Sequence, residues 1–201
     1  MSGGTRLIWP TKTDEALRAA VHRVIHAVVE QGGAVGYLQP PDRGVTDSLL
    51  DAVVADAGRG DAGLVLAKVA GRVEGMGLWR RGPGPVYRHS AEVGKVMAHP
   101  SARGLGLGLL IVRALIPHAR EAGIELLTLG VRGNNHGAIE LYERAGFLVW
   151  GVLPNSIAVG RDRFDDVRMR LEIARPPGVV HRGSSPGGPG SSSPRAPRAI
   201  S

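Results

Sequence analysis

The sequence predicts a single α/β domain with a mixed central sheet of about six to seven strands flanked by about four helices. Three observations predict it. Apolar residues recur at helical spacing early in the chain, the runs shorten to strand length after residue 63, and helix and strand patterns then alternate up to residue 147. With 201 residues, 43% of them hydrophobic, the chain can close a core without crosslinks. It contains no cysteine, which excludes disulfides, thiolate nucleophiles and cysteine-held metals.

Residues 13–30 put Leu17, Val21, Val24, Ile25 and Val28 on one helical face, with Asp14 and Glu15 in the first turn and Gly32 past the end. Residues 46–57 repeat the logic with Leu49, Leu50, Val53 and Val54; Thr46 is placed to cap this helix and Gly58 to stop it. Between them GYLQPPDRGV reads as a loop, because its two prolines bar a continuous helix. LVLAKVA and RVEGMGLWR, joined at Gly71 and Arg72, read as a hairpin, and AEVGKVMAHP as a strand ended by Pro100. Residues 105–122 have helical spacing at Leu109, Val112, Leu115, Ile116 and Ala119, with Pro117 expected to kink or shorten the helix. ELLTLGV is a strand. NNHGAIELYERAGF is a helix capped by Asn134 or Asn135 and closed by Gly146; FLVWGVL and DRFDDVRMRLEI supply two last strands.

Domain organisation follows from composition. Residues 1–173 form the domain, and residues 174–201, dominated by Pro, Gly and Ser, read as a disordered tail. The formal charge is +7, but the tail carries Arg175, Arg182, Arg195 and Arg198 and no acid, which leaves the body at +3. Nucleic acid is therefore disfavoured as a partner of the body. No apolar run reaches the ~18 residues of a membrane span, and MSGGTRLIWP lacks a basic-then-apolar leader pattern, so a soluble, cytoplasmic protein is expected.

RGLGLG (residues 103–108) places Gly104, Gly106 and Gly108 at alternate positions between a strand and a helix. A glycine turn at a helix N-terminus aims free N–H groups and the positive end of the helix dipole at one point, a geometry that binds phosphate. Two familiar phosphate loops fail here. The dinucleotide fingerprint needs a glycine where Leu109 or Ile111 stands, and the Walker loop fails because Val96 follows Gly94 and Lys95 and His89 occupies the first glycine's place. What remains is Arg-x-x-Gly-x-Gly, filled by Arg103, Gly106 and Gly108.

AEVGKVMAHPSARGLGLG followed by NNHGAIELYERAGF resembles the Gcn5-related N-acetyltransferase (GNAT) family: the first stretch looks like its acetyl-coenzyme A motif and the second its N-x-x-A-x-x-L-Y-x-x-x-G-F helix. The resemblance covers residues 64–173. It implies that acetyl-CoA is the co-substrate, that the backbone of Val96, Met97 and Ala98 pairs with the pantetheine arm, and that Arg103, Gly104, Leu105, Gly106, Leu107, Gly108 and Leu109 wrap the pyrophosphate. Asn135 would touch the cofactor arm, serve as a plain helix cap, or do both. Tyr142 stands where the family carries its general acid, and a packing ring is its other reading.

For the base, Glu92 lies four residues before Val96, a period-two spacing that predicts both side chains on one strand face, and it resembles the glutamate of Gcn5-type members. A water chain is the other candidate. Some relatives that acetylate protein N-termini carry a glutamate where Gly130 stands here. The implied activity is acetyl transfer to a primary amine, of a small molecule rather than a protein; the stretch also looks like tabtoxin-resistance acetyltransferases. A coenzyme A-binding regulatory module without catalysis and a protein lysine or N-terminal acetyltransferase are the alternatives, and a homodimer is compatible with each. No metal site is expected: His22 and His26 have zinc-helix spacing, but Arg23 replaces the glutamate of that motif, so they read as solvent-facing. Asp165 and Asp166 read as a charged turn, and Trp79, Trp150 and Phe164 as substrate wall or packing.

Overall fold

A computed structural model of the protein describes residues 4–33 and 35–174. The predicted disordered tail, apart from Ala174, lies outside them. In chain order the elements are β1 (Arg6–Ile8), α1 (Glu15–Glu30), α2 (Arg43–Gly58), β2 (Ala62–Val69), β3 (Arg72–Arg81), β4 (Ser90–Ala98), α3 (Leu107–Glu121), β5 (Leu126–Arg132), α4 (His136–Arg144), β6 (Leu148–Val159) and β7 (Asp162–Glu172). The strands form one seven-stranded sheet in the order β1-β2-β3-β4-β5-β7-β6. Only β4 and β5 run parallel; every other neighbouring pair is antiparallel. The expected mixed α/β fold is thus the observed one, and β1, three residues long, is the strand that the sequence pattern did not show.

Asp14 caps α1 by accepting from the Leu17 N–H at 2.7 Å. The second helix starts three residues earlier than its apolar pattern suggests. Asp42 holds the cap position, and Thr46 lies inside the first turn, buried, with its hydroxyl donating to the Arg43 carbonyl and 3.0 Å from His22 Nδ1. The extra turn is held by Arg43, which pairs with both Asp47 and Glu15 at 2.8 Å. His22 is therefore half-buried between α1 and α2, not solvent-facing as expected. In α3 the chain runs through Pro117 to Glu121, so the proline does not shorten the helix.

Side chains split between two cores, one on each face of the sheet. Val24, Ile25, Leu50, Leu66 and Met76 pack beneath α1 and α2. Val65, Trp79, Ile111, Leu115, Leu127 and Phe147 pack beneath α3 and α4. Helix α3 approaches closely because glycines lie under it: a Cβ on Gly77 would stand 2.4 Å from Ile111 Cγ2, and one on Gly63 2.7 Å from His118 Nδ1. Trp79, fully buried, donates its indole N–H to His118 Nδ1 at 3.1 Å, and Trp9 stacks on that imidazole at 3.9 Å. Burial lowers the pKa of His118, which favours the neutral ring that this acceptor role needs.

Filling the space beneath α3 should loosen the fold. Gly77→Val is expected to lower stability by about 1–3 kcal/mol, read as an earlier urea midpoint; an unchanged midpoint would show that α3 is not seated through this contact.

Candidate active site

The site begins where two strands part. β4 pairs with β5 from Ser90↔Leu126 to Glu92↔Thr128 and no further, so beyond Glu92 one edge of β4 faces a gap. On its other edge β4 keeps to β3, but the register slips: Leu78 pairs with Gly94 and Met76 with Met97. Lys95 and Val96 together therefore oppose Gly77, which is a β-bulge. Lys95 carries it, at φ 52°, a conformation that costs a side-chain-bearing residue roughly 1–2 kcal/mol.

The bulge overturns one expectation. Glu92 and Val96 do not share a face, because the extra residue reverses the alternation between them. Glu92 pairs with Arg80 on the α1–α2 side, where Leu78 and Met97 also lie, whereas Val96 and Ala98 pack with the α3 core. The backbone beyond the bulge is set as well. The His99 N–H donates to the Glu74 carbonyl of β3 at 2.7 Å, so strand alternation turns the N–H groups of Ala98 and Val96 toward the gap and that of Met97 toward β3.

The gap leads to the glycine loop. A short 3-10 turn, Pro100–Ala102, follows β4 and gives way to Arg103, Gly104, Leu105 and Gly106. Gly104 (φ 82°) and Gly106 (φ 68°) occupy the left-handed region, and Gly106 is the N-cap of α3 without any side-chain cap bond. The N–H groups of Leu107, Gly108 and Leu109 begin the helix and have no carbonyl one turn back, while the Gly106 carbonyl already accepts from Leu110. Gly108 has a different reason to be glycine: its Cβ would stand 2.6 Å from Leu141 Cδ1 of α4. Beneath the loop, the buried Glu74 carboxylate pairs with Arg23 at 3.0 Å and accepts from Ser101 Oγ at 3.3 Å, tying the turn to β3 and α1.

On the α1–α2 side the gap opens into a cleft of about 670 Å³. Its floor includes Glu92, Gly94 and Gly130; Tyr142 of α4 reaches it from behind the sheet, and residues 35–38 and 157–159 form its walls. Tyr142 is 8% exposed, makes an edge contact with Phe147, and burial pushes its pKa up to about 12. The phenol therefore keeps its proton at neutral pH. Glu92, exposed, is 3.9 Å from Arg168, which also pairs with Asp166 at 3.4 Å. Asn135 caps α4 by accepting from the Ala138 N–H at 3.3 Å.

Gly130 lacks the space for a side chain in this arrangement, since a Cβ there would meet Arg168 Nη1 at 2.7 Å and Asp166 Oδ1 at 2.8 Å. Asp165 and Asp166 lie within β7, not in a turn; the β6–β7 turn falls earlier, at Gly160 and Arg161. Phe164 lies under the Arg132 guanidinium at 4.9 Å, Trp79 is core, and Trp150 is exposed on the outer strand. Sequence reading missed Lys95, Arg80 and Arg168 as cleft residues. Only the alternation of β7 against β5 pointed to Arg168; Lys95 depends on the bulge. Among the described residues no cluster of His, Asp or Glu could hold a metal, and no helix is long and apolar enough to cross a membrane.

Known proteins share this architecture. The model of the acetyltransferase (GNAT) family matches residues 7–147. The L-amino acid N-acyltransferase MnaT of Escherichia coli is 33% identical over 79 residues, 39% of this chain and 44% of that protein. The L-methionine sulfoximine/L-methionine sulfone acetyltransferase of Pseudomonas aeruginosa is 34% identical over 94 residues, 45% of this chain and 53% of its own. A mycothiol acetyltransferase of Thermomonospora curvata is 37% identical over 91 residues, 45% of this chain but 29% of that one. The chain thus spans about half or less of the curated relatives it matches. Among solved structures, yncA of Salmonella typhimurium, solved with its cofactor acetyl-CoA, superposes with a TM-score of 0.74 at 22% identity over 86% of this chain and 96% of that one, which shows the shared fold.

The raised Tyr142 pKa has a spectroscopic consequence. The folded value lies above the unfolded value of about 10, so the neutral phenol favours the fold below that pH and this contribution is lost as pH rises through about 12. The chain has three tyrosines. At a pH of about 10.5, Tyr142→Phe protein should show the same phenolate absorbance as wild type; a weaker signal in the variant would mean that Tyr142 ionises in the ordinary range.

Proposed function

The chain belongs to the acetyltransferase (GNAT) family, whose model matches 7–147 of its residues, and on that premise we propose that it moves an acetyl group from acetyl-CoA to the primary amine of a small molecule. One observation carries this reading: the free edge of β4 and Tyr142 meet at a cleft that also contains Glu92, and β4 runs on through the Pro100–Ala102 turn into the N-terminus of α3. The residues fit such a co-substrate. N–H groups of Val96 and Ala98 are offered to an extended arm as another strand would take them, and Gly104, Gly106 and the first N–H groups of α3 suit a pyrophosphate. Arg103, exposed beside them, adds a positive charge.

When bound, acetyl-CoA supplies the thioester whose C–S bond breaks as the C–N bond forms. The chain's own groups handle protons. Tyr142 holds a proton on its phenol for the departing sulfur, and the high pKa keeps that proton in place until sulfur bears charge. Glu92, or a water it holds, accepts the proton that the amine loses, with the Arg168 guanidinium 3.9 Å from its carboxylate. A small acceptor is supported by the cleft's volume of about 670 Å³, which is ligand-sized, and by the L-amino acid N-acyltransferase and the L-methionine sulfoximine and mycothiol acetyltransferases among the relatives. A homodimer has support in the exposed Leu148, Trp150 and Leu153 of the outer strand β6. The transferase domain spans residues 1–173.

A screen of small amines with acetyl-CoA, reading free thiol, tests the reading. Tyr142→Phe should lose about a hundredfold in kcat while keeping acetyl-CoA affinity; full turnover would remove Tyr142 from the chemistry, and the absence of thiol release with every amine of the screen would favour a coenzyme A-binding module. A chain ending at Ile173 should match the full-length rate, and a tenfold loss would place part of the function in residues 174–201.

A further inference from the structure

Besides Arg132, which donates to Asn134 Oδ1 at 2.8 Å and lies over the Phe164 ring, the cleft carries two further cations that the transfer chemistry leaves unused. Lys95 is aimed into it by the bulge. Its ammonium has three donors, of which one is taken by the Val35 carbonyl at 2.6 Å, and it lies 4.1 Å over the Tyr37 ring. Among the described residues no carboxylate comes within ion-pair distance of it. The loop closes tightly here, since a Cβ on Gly36 would stand 3.2 Å from Lys95 Nζ. Arg80, on the neighbouring strand, has Nε and Nη2 buried with no hydrogen-bond partner among the described residues, where its one carboxylate, Asp56, is 3.8 Å away. Both residues line the cleft, and Arg80 is the cross-strand partner of Glu92.

Half-buried cations with spare donors favour an anion at that spot. Arg168, by contrast, is already shared between Glu92 and Asp166, so the cleft has a neutralised side and a side with unmatched positive charge. Resting on the transferase reading above, we propose that Lys95 and Arg80 form a subsite for a carboxylate of the acceptor, and that the acceptors are small α-amino acids. In this class the carboxylate is attached to the carbon that bears the amine. An acid group held at Lys95 and Arg80 therefore leaves the amine beside Glu92, at the mouth of the gap where the β4 N–H groups of Val96 and Ala98 turn. The carboxylate accepts hydrogen bonds from the free donors of both cations. Burial and the nearby Arg80 charge depress the Lys95 pKa, and a bound anion offsets both causes.

The test uses the full chain, acetyl-CoA and a panel of L-amino acids with varied side chains, each assayed beside its carboxamide and its decarboxylated amine. In wild type the acid should exceed its amide in kcat/KM by roughly ten- to a hundredfold for the best side chain, as expected for a charge-assisted pair. Lys95→Met should bring that ratio close to one, and Lys95→Arg should restore part of it; Arg80→Met should lower it to an intermediate value. A wild-type ratio near one, or a ratio that survives Lys95→Met, overturns the subsite while leaving the transferase reading intact. If no acceptor of any kind releases thiol, the transferase reading fails, and the subsite is judged by thermal shift. A rise in Tm with the amino acids but not their amides, lost in Lys95→Met, upholds it; equal shifts, or none, overturn it.

Discussion

The bulge at Lys95 is the constraint on which the rest of the site depends. By adding one residue to β4 opposite Gly77, it lets Glu92 and Met97 serve the α1–α2 face and Val96 and Ala98 the α3 face. It follows directly on the place where β4 leaves β5, and the sharper bend and twist of a bulged strand suit that parting. Without it the Lys95 side chain would not emerge where the cleft is, and the two halves of the strand could not satisfy the cores above and below at once. The left-handed conformation of Lys95 is the strain that this arrangement accepts.

Glycine performs three separate tasks around the bulge. Gly77 makes room for Ile111, so that α3 can lie against β3; Gly104 and Gly106 turn the chain through left-handed conformations into the helix; Gly108 admits Leu141, so that α3 and α4 touch. The last contact matters for the proposed chemistry because α4 carries Tyr142. That residue lines the cleft from the α4 side while the proposed acceptor side lies under α1 and α2, and the gap in the sheet is what connects them. The Glu74 carboxylate, held by Arg23 and Ser101, fixes the turn between strand and loop from below.

Much of this was legible in the sequence, for a local reason. A strand, a glycine turn and a helix in succession specify a helix N-terminus directly, and the cap at Asn135 needs only neighbouring residues; Asp14, read as part of the first turn, is the cap of α1. The parts that were not legible depend on tertiary context. Three residues of β1 show no period. The bulge breaks the alternation on which the pairing of Glu92 with Val96 was predicted, and nothing in EVGKVM announces it. Thr46 has the right chemistry for a cap, but Arg43 finds partners in Glu15 and Asp47 and begins the helix earlier. Asp165 and Asp166 resemble a turn by composition, yet β7 pairs through them with β5 and β6.

The central claim is that the edge of β4 past the bulge and the start of α3 together hold acetyl-CoA. Amide hydrogen exchange with and without acetyl-CoA tests it most directly. The account predicts slowed exchange at Val96, Ala98 and residues 104–109, with the Met97 amide, already turned toward β3, changing least within the strand. Binding that leaves those amides untouched, or that protects a different part of the sheet, would contradict it.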